Sequence, residues 1–182
     1  MSKYETWIEP SWKVMNEDFL RGDFKPQTES DIKCHLYHAL LQTKPQIKTL
    51  EPRHIVLTEY GRRLPRIKRI DLAIGTWDKE KNRFEPRLAI EVKKTRREKF
   101  PHNFPFHKIK ERVRKDIEKL RRFRKILEEK KEEDILKNFR KPRVIFFFTR
   151  AFPDGIPSRI EYGLEKNIQE EYGDIDFMWG PC

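Results

Sequence analysis

Asp71, Glu91 and Lys93 stand where apolar strands ordinarily carry valine or isoleucine. Asp71 interrupts the run Ile70-Asp71-Leu72-Ala73-Ile74, and the other two lie in Leu88-Ala89-Ile90-Glu91-Val92-Lys93. Side chains alternate across a strand, so Glu91 and Lys93 share one face while Ile90 and Val92 take the other. The polar stretch from Trp77 to Phe84 reads as a hairpin turn between the two runs. Folded symmetrically about Lys81, the hairpin sets Asp71 opposite Glu91, Ala73 opposite Ala89 and Ile70 opposite Val92. Directly opposed carboxylates destabilise a strand pair, so a positive group is expected between them. A hard divalent cation meets that need, because Mg²⁺ accepts one or two carboxylates and keeps waters that a phosphate can displace.

Such a set suits chemistry on a phosphate. A metal held by Asp71 and Glu91 would polarise the phosphate and lower the pKa of water. Lys93, on the same face, is expected to orient that water or stabilise developing charge. An ammonium beside two carboxylates stays protonated unless the metal offsets them, which favours an electrostatic role over that of a general base. Ala73 and Ala89 are small, so the same face is expected to leave room for the scissile phosphate.

The elements that must position these groups are legible in outline. Thr28 is placed to cap a helix with Glu29, Ser30 and Asp31 in its first turn and an apolar stripe through Ile32, Leu36, Ala39 and Leu40. Pro45 ends it. Strands are expected at 54–60, 67–77 and 86–94. A loop rich in Pro and Phe, 100–106, then leads into a long helix over 107–131 with the stripe Ile109, Val113, Ile117, Leu120, Phe123 and Leu127. Asp116 lies beside that stripe, flanked by Lys115 and Lys119. The run 143–149 is apolar almost throughout, the pattern of a strand covered on both faces. A helix over 158–171 and a short strand over 175–179 close the chain. Residues 1–27 read as an extension that packs through Trp7, Trp12, Phe19 and Phe24, with Pro10 and Pro26 as breaks.

At 182 residues the chain suits one domain with a sizeable core. Charged residues make up 39% and the net charge is +11, which suits a polyanionic partner such as nucleic acid. Cys34 and Cys182 form neither a disulfide framework nor zinc-ligand spacing, and fit a reducing compartment. No apolar run approaches the ~18 residues of a membrane span, and the N-terminal residues lack the apolar core of a signal peptide. A cytoplasmic protein with no membrane partner is expected.

A helix with an early Glu, a hairpin bearing Asp and Glu-x-Lys, a long helix and an apolar strand together resemble the PD-(D/E)XK nuclease superfamily. The resemblance covers about residues 28–150, and Ile70 replaces the proline that names the motif. It implies an α/β fold: a single restriction-endonuclease-like domain over 1–182, with its core at about 28–180. A central mixed sheet would be flanked by helices in the order α-β-β-β-α-β-α-β. It further implies catalytic residues Glu29, Asp71, Glu91 and Lys93, with Mg²⁺ (Mn²⁺ substituting) held by Asp71, Glu91 and the backbone carbonyl of Val92. DNA is the implied substrate. Lys94, Arg96, Arg97 and Lys99 follow the second acid-bearing strand and are placed to hold its phosphates. Lys115 and Lys119 on the long helix are further candidates for DNA contact. A homodimer, or a partner that supplies targeting, fits the chain's size. The alternative is a non-catalytic nucleic-acid-binding protein with a nuclease-like fold.

Overall fold

Three runs of strand-forming sequence, two of them sharing a tight turn, build the first half of a five-stranded mixed sheet. The computed structural model describes residues 4–44, 54–60, 69–95, 106–130, 132–149 and 157–181. Strands β1 (His54–Tyr60), β2 (Ile70–Asp78) and β3 (Arg83–Thr95) run antiparallel in sequence order. Beyond β3, β4 (Arg143–Phe148) and β5 (Asp176–Gly180) add in parallel. Each parallel addition needs a crossover. Helix α3 (Phe106–Glu129) with the short α4 (Glu133–Asn138) supplies the first, and α5 (Ser158–Leu164), prolonged by a π-helical turn over Glu165–Gln169, supplies the second.

Two cores cover the two faces of the sheet. Helix α3 buries Ile109, Val113, Ile117, Leu120, Phe123 and Leu127 against Ala89, Val144, Phe146 and Phe148. The opposite face carries Leu72, Ile74, Leu88, Ile90, Val92, Ile145 and Phe147 beneath α1 (Glu5–Arg21) and α2 (Glu29–Thr43). Alternation along β3 and β4 therefore reads as expected for a sheet covered on both sides. No helix among the described residues is long and apolar enough to cross a membrane.

Helix α2 begins as its sequence predicts. The Thr28 hydroxyl accepts from the Asp31 N–H at 3.2 Å, and the Asp31 carboxylate accepts from the Thr28 N–H at 2.7 Å, a reciprocal capping box. Its last helical residue is Thr43, and Pro45 lies outside the described residues.

Helix α1 departs from expectation. Pro10 was expected to break the chain and instead lies inside the helix. A proline there costs about 3 kcal/mol. Trp7, Ile8 and Met15 are each fully buried on the same helix, and each such side chain contributes roughly 1.5–3 kcal/mol. Burial therefore outweighs the lost backbone bond. Two polar contacts fix α1 on α2: Trp7 Nε1 donates to the Leu40 carbonyl at 2.8 Å, and the Ser11 and Thr43 hydroxyls meet at 2.6 Å.

The hairpin register is the expected one near its centre, with Leu72 opposite Ile90, Ala73 opposite Ala89 and Ile74 opposite Leu88. A bulge between Ile74 and Gly75 then shifts it by one, so that Asp78 faces Arg83. The bulge requires glycine, because a Cβ on Gly75 would collide with the Glu85 carbonyl and the Phe84 ring. At the other end, the expected pairing of Ile70 with Val92 is not present. Ile70 lies in the α3-side core and Val92 in the opposite one, so alternation along β2 reverses across Asp71. The neighbouring strand reverses beside it, at Glu59, whose backbone is left-handed (φ 51°). Tyr60 consequently packs on the α3 side while Val56 packs under α2.

Gly75→Ala is expected to destabilise the fold by about 1–3 kcal/mol, because the obstruction is backbone. The urea midpoint of unfolding measures it.

Candidate active site

The site forms where β3 changes partners. Its pairing with β2 ends at Leu72–Ile90, and its pairing with β4 begins at Ile90–Arg143 and continues to Thr95–Phe148. Beyond Ile90 the edge of β3 that faced β2 has no strand to bond, yet its buried N–H groups still need acceptors. Side chains supply them. Val92 N–H donates to Asp71 Oδ2 at 2.9 Å, and Lys94 N–H donates to Glu29 Oε1 at 3.3 Å. In return, Asp71 N–H donates to Glu91 Oε1 at 3.2 Å. The N–H and C=O of a strand residue leave on the same edge, so the Val92 carbonyl opens onto this fork as well.

Charged groups around the fork form a chain that alternates in sign, with one exception. Arg69 Nη1 lies 3.6 Å from Glu59 Oε2, and Glu59 pairs closely with Lys33. Lys33 Nζ is 3.8 Å from Asp71 Oδ1. On the other side, Glu91 Oε2 lies 2.5 Å from Lys119 Nζ, which is 3.8 Å from Asp116 Oδ1 and accepted by the Arg69 carbonyl at 2.9 Å. Asp116 Oδ2 is 3.0 Å from Lys93 Nζ, and Lys93 Nζ is 3.6 Å from Glu29 Oε2. Among the described residues, Asp71 and Glu91 are neighbouring acids of this chain with no basic group between them.

Titration follows from this arrangement. Glu91 is 1% exposed, and its burial, reinforced by Asp71 and opposed by Lys119, pushes its carboxyl up to about 8. Burial pulls the Lys93 ammonium down, but Asp116, Glu29 and Glu91 more than offset it and hold it above its ordinary value. Lys33 behaves alike: burial lowers it, and Glu59 with Asp71 outweighs that.

The donor set fits a hard cation. Asp71, Glu91 and the Val92 carbonyl offer oxygen ligands only, at the one point of the charge chain that lacks a positive group. Mg²⁺ characteristically takes few protein ligands and keeps several waters. Among the described residues no three His, Cys, Asp or Glu side chains gather into a metal cluster.

The structure thus brings Glu29, Asp71, Glu91 and Lys93 together, from α2, β2 and β3. The remaining candidates divide. Arg96, Arg97 and Lys99 lie outside the described residues, as does most of the 100–106 loop. The Lys94 ammonium bonds the Gln27 carbonyl. Lys115 is exposed and lines a cleft of about 1250 Å³ along α3, which runs from Glu29 and Lys93 past Asp116 and Lys119 to Tyr172. Lys119 reaches the fork itself. Its side chain is 14% exposed, and the buried Glu91 carboxylate holds it inside.

Ala73 and Ala89 do not make room for a phosphate. Both are fully buried, and Ala89 lies beneath α3, so their small size lets the helix approach the sheet. Sequence reasoning passed over Lys33 and Glu59. The spacing of Lys33 from Glu29, one helical turn on the same face, was the available signal. Glu59 gave none, since its position depends on a local backbone reversal. Comparison with protein-family models, curated proteins and solved structures finds no match.

The raised Glu91 carboxyl has a definite sign in stability. Between its ordinary value of 4.5 and about 8, the folded protein keeps a proton that the unfolded chain has lost, so stability falls as pH rises through this window. Metal-free protein is expected to lose on the order of a few kcal/mol from pH 5 to pH 8 from this group. Thermal unfolding measured across that range should slope downward in the wild type and be flatter in Glu91→Gln. Mg²⁺ added at pH 8 should raise the wild-type Tm.

Proposed function

We propose that the protein is a Mg²⁺-dependent nuclease that hydrolyses phosphodiester bonds of DNA, with a restriction-endonuclease-like arrangement of its sheet and helices. The observation that carries this reading is the break in charge alternation at Asp71 and Glu91, at a fork whose backbone edge adds the Val92 carbonyl. These three groups would hold the metal, which when bound polarises the phosphate and makes water more acidic.

The chain's own residues do the rest. Lys93 remains an ammonium between Asp116 and Glu29, which fixes its position and directs it to orient water or to stabilise charge developing on phosphoryl oxygens. Glu29 holds β3 through Lys94 N–H while pairing with Lys93, so one side chain sets both strand edge and lysine. The cleft along α3 begins at these residues and carries Lys115, which gives the substrate a cationic approach. The charge of +11 suits DNA as the polyanion. Cutting both strands of a duplex calls for two such sites, through a homodimer or a targeting partner, in a cytoplasmic setting.

Supercoiled plasmid, single-stranded DNA and a branched junction, each with Mg²⁺ or EDTA, test the proposal. Cleavage is expected only with Mg²⁺ (or Mn²⁺), absent in Glu91→Ala and slowed by about 10²-fold or more in Lys93→Ala. Tight DNA binding with no cutting of any substrate, and no change in Glu91→Ala, would replace this reading with that of a non-catalytic nucleic-acid-binding protein.

A further inference from the structure

Lys33 has a placement that the roles assigned so far do not use. It projects from α2 one turn after Glu29, yet the two side chains serve opposite sides of the fork. Glu29 meets Lys93 on the side of β3, and Lys33 reaches Asp71 and Glu59 on the side of β1 and β2. Its side chain is 13% exposed, whereas those of Glu59 and Asp71 are 36% and 24% exposed. Lys33 is thus the most enclosed of the three, with the more open Asp71 and Glu59 beside it.

Glu59 anchors it there, and Glu59 is itself held in a left-handed backbone conformation that side chains rarely adopt. Such strain is found where position matters more than local stability. Arg69 shares Glu59 with Lys33. In the free protein Arg69, Lys33, Glu59 and Asp71 balance one another. A divalent cation taken up beside Asp71 leaves that quartet with excess positive charge, and an anion must follow.

We infer that Lys33 is a further substrate-binding residue: it shares Asp71 in the free protein, and binds an oxygen of the DNA phosphate that the metal at Asp71 recruits. This rests on the nuclease reading above and adds a second lysine to it, on the far side of Asp71 from Lys93. The ammonium has three donors. Glu59 occupies one throughout, so leaving Asp71 for a phosphate strands neither partner.

Two measurements on the full chain carry opposite signs for this role. Mn²⁺ binding without DNA, read from the electron-spin-resonance signal of free Mn²⁺, should tighten several-fold in Lys33→Met, because a positive charge next to the metal site is gone. Duplex binding in the presence of metal should weaken, and the slope of log K against log salt should become shallower by about 0.9, one phosphate contact. Lys33→Arg should restore both.

If Lys33 merely holds Asp71 in place, its loss weakens Mn²⁺ binding, and that result overturns the inference. An unchanged salt slope overturns it too. Lys33→Gln, which keeps a hydrogen bond to Glu59, carries the same test should Lys33→Met not fold. The wild type separates the two readings. A wild type that neither cuts nor takes up Mn²⁺ defeats the nuclease reading, whereas one that cuts, with a salt slope indifferent to Lys33, defeats only the role of Lys33.

Discussion

A strand that leaves one neighbour for another must do something with the backbone groups it exposes, and β3 does this at Ile90. Before that residue its edge is satisfied by β2, and afterwards the same edge turns to the carboxylates of Asp71 and Glu29. Leaving buried N–H groups unpaired would cost about 1–3 kcal/mol each, so the acceptors at these positions serve the sheet itself. The fork in the sheet thereby collects negative charge next to a carbonyl edge. The rest of the site is a response to that charge: Lys33 from α2 and Lys119 from α3 come in from opposite faces of the sheet to meet it.

The two sides of the response are unequal. Glu91 lies under α3 and is held by an ammonium at 2.5 Å, while Asp71 remains partly open, with Lys33 at 3.8 Å. Lys93 is bound into the α3 side through Asp116. The buried half of the fork is therefore closely paired, and the Asp71 half is the open one. Leaving a buried polar group without its partner is expensive, which keeps the Glu91 side in one arrangement. Partly exposed pairs are weakly held, and exchange on the Asp71 side is correspondingly cheap.

Much of this was visible in the chain itself. Acids in apolar strands marked Asp71 and Glu91, the spacing to Lys93 put it on the face of Glu91, and Thr28 announced α2. β1 has the expected limits, and the centre of the hairpin the expected register. What could not be read depends on distant contacts. The reversal at Glu59 and Asp71 moves Ile70 to the other core, and no residue type there encodes it. Lys119 was read as a candidate for DNA contact and Asp116 only as a neighbour of the apolar stripe, because helical periodicity does not tell which flanking polar residue will meet a buried acid across the interface. Helix α1 was hidden by Pro10, whose local cost is plain in sequence, whereas the burial of Trp7, Ile8 and Met15 that outweighs it is tertiary.

Helix α1 has a wider consequence. It fixes α2 at both ends of their contact. Trp7 and Ser11 grip the C-terminal turn of α2 through Leu40 and Thr43, and nearer its start Asp18 bonds His35 at 2.8 Å while Phe24 stacks on the same ring at 4.0 Å. Glu29 and Lys33 ride on the helix so clamped. Sliding or rotating α2 by a fraction of a turn would move both together, one away from Lys93 and the other away from Asp71. α1 thus acts as a splint that sets the phase of α2, and the alignment of the fork is decided partly by aromatic packing in the core between α1, α2 and the sheet.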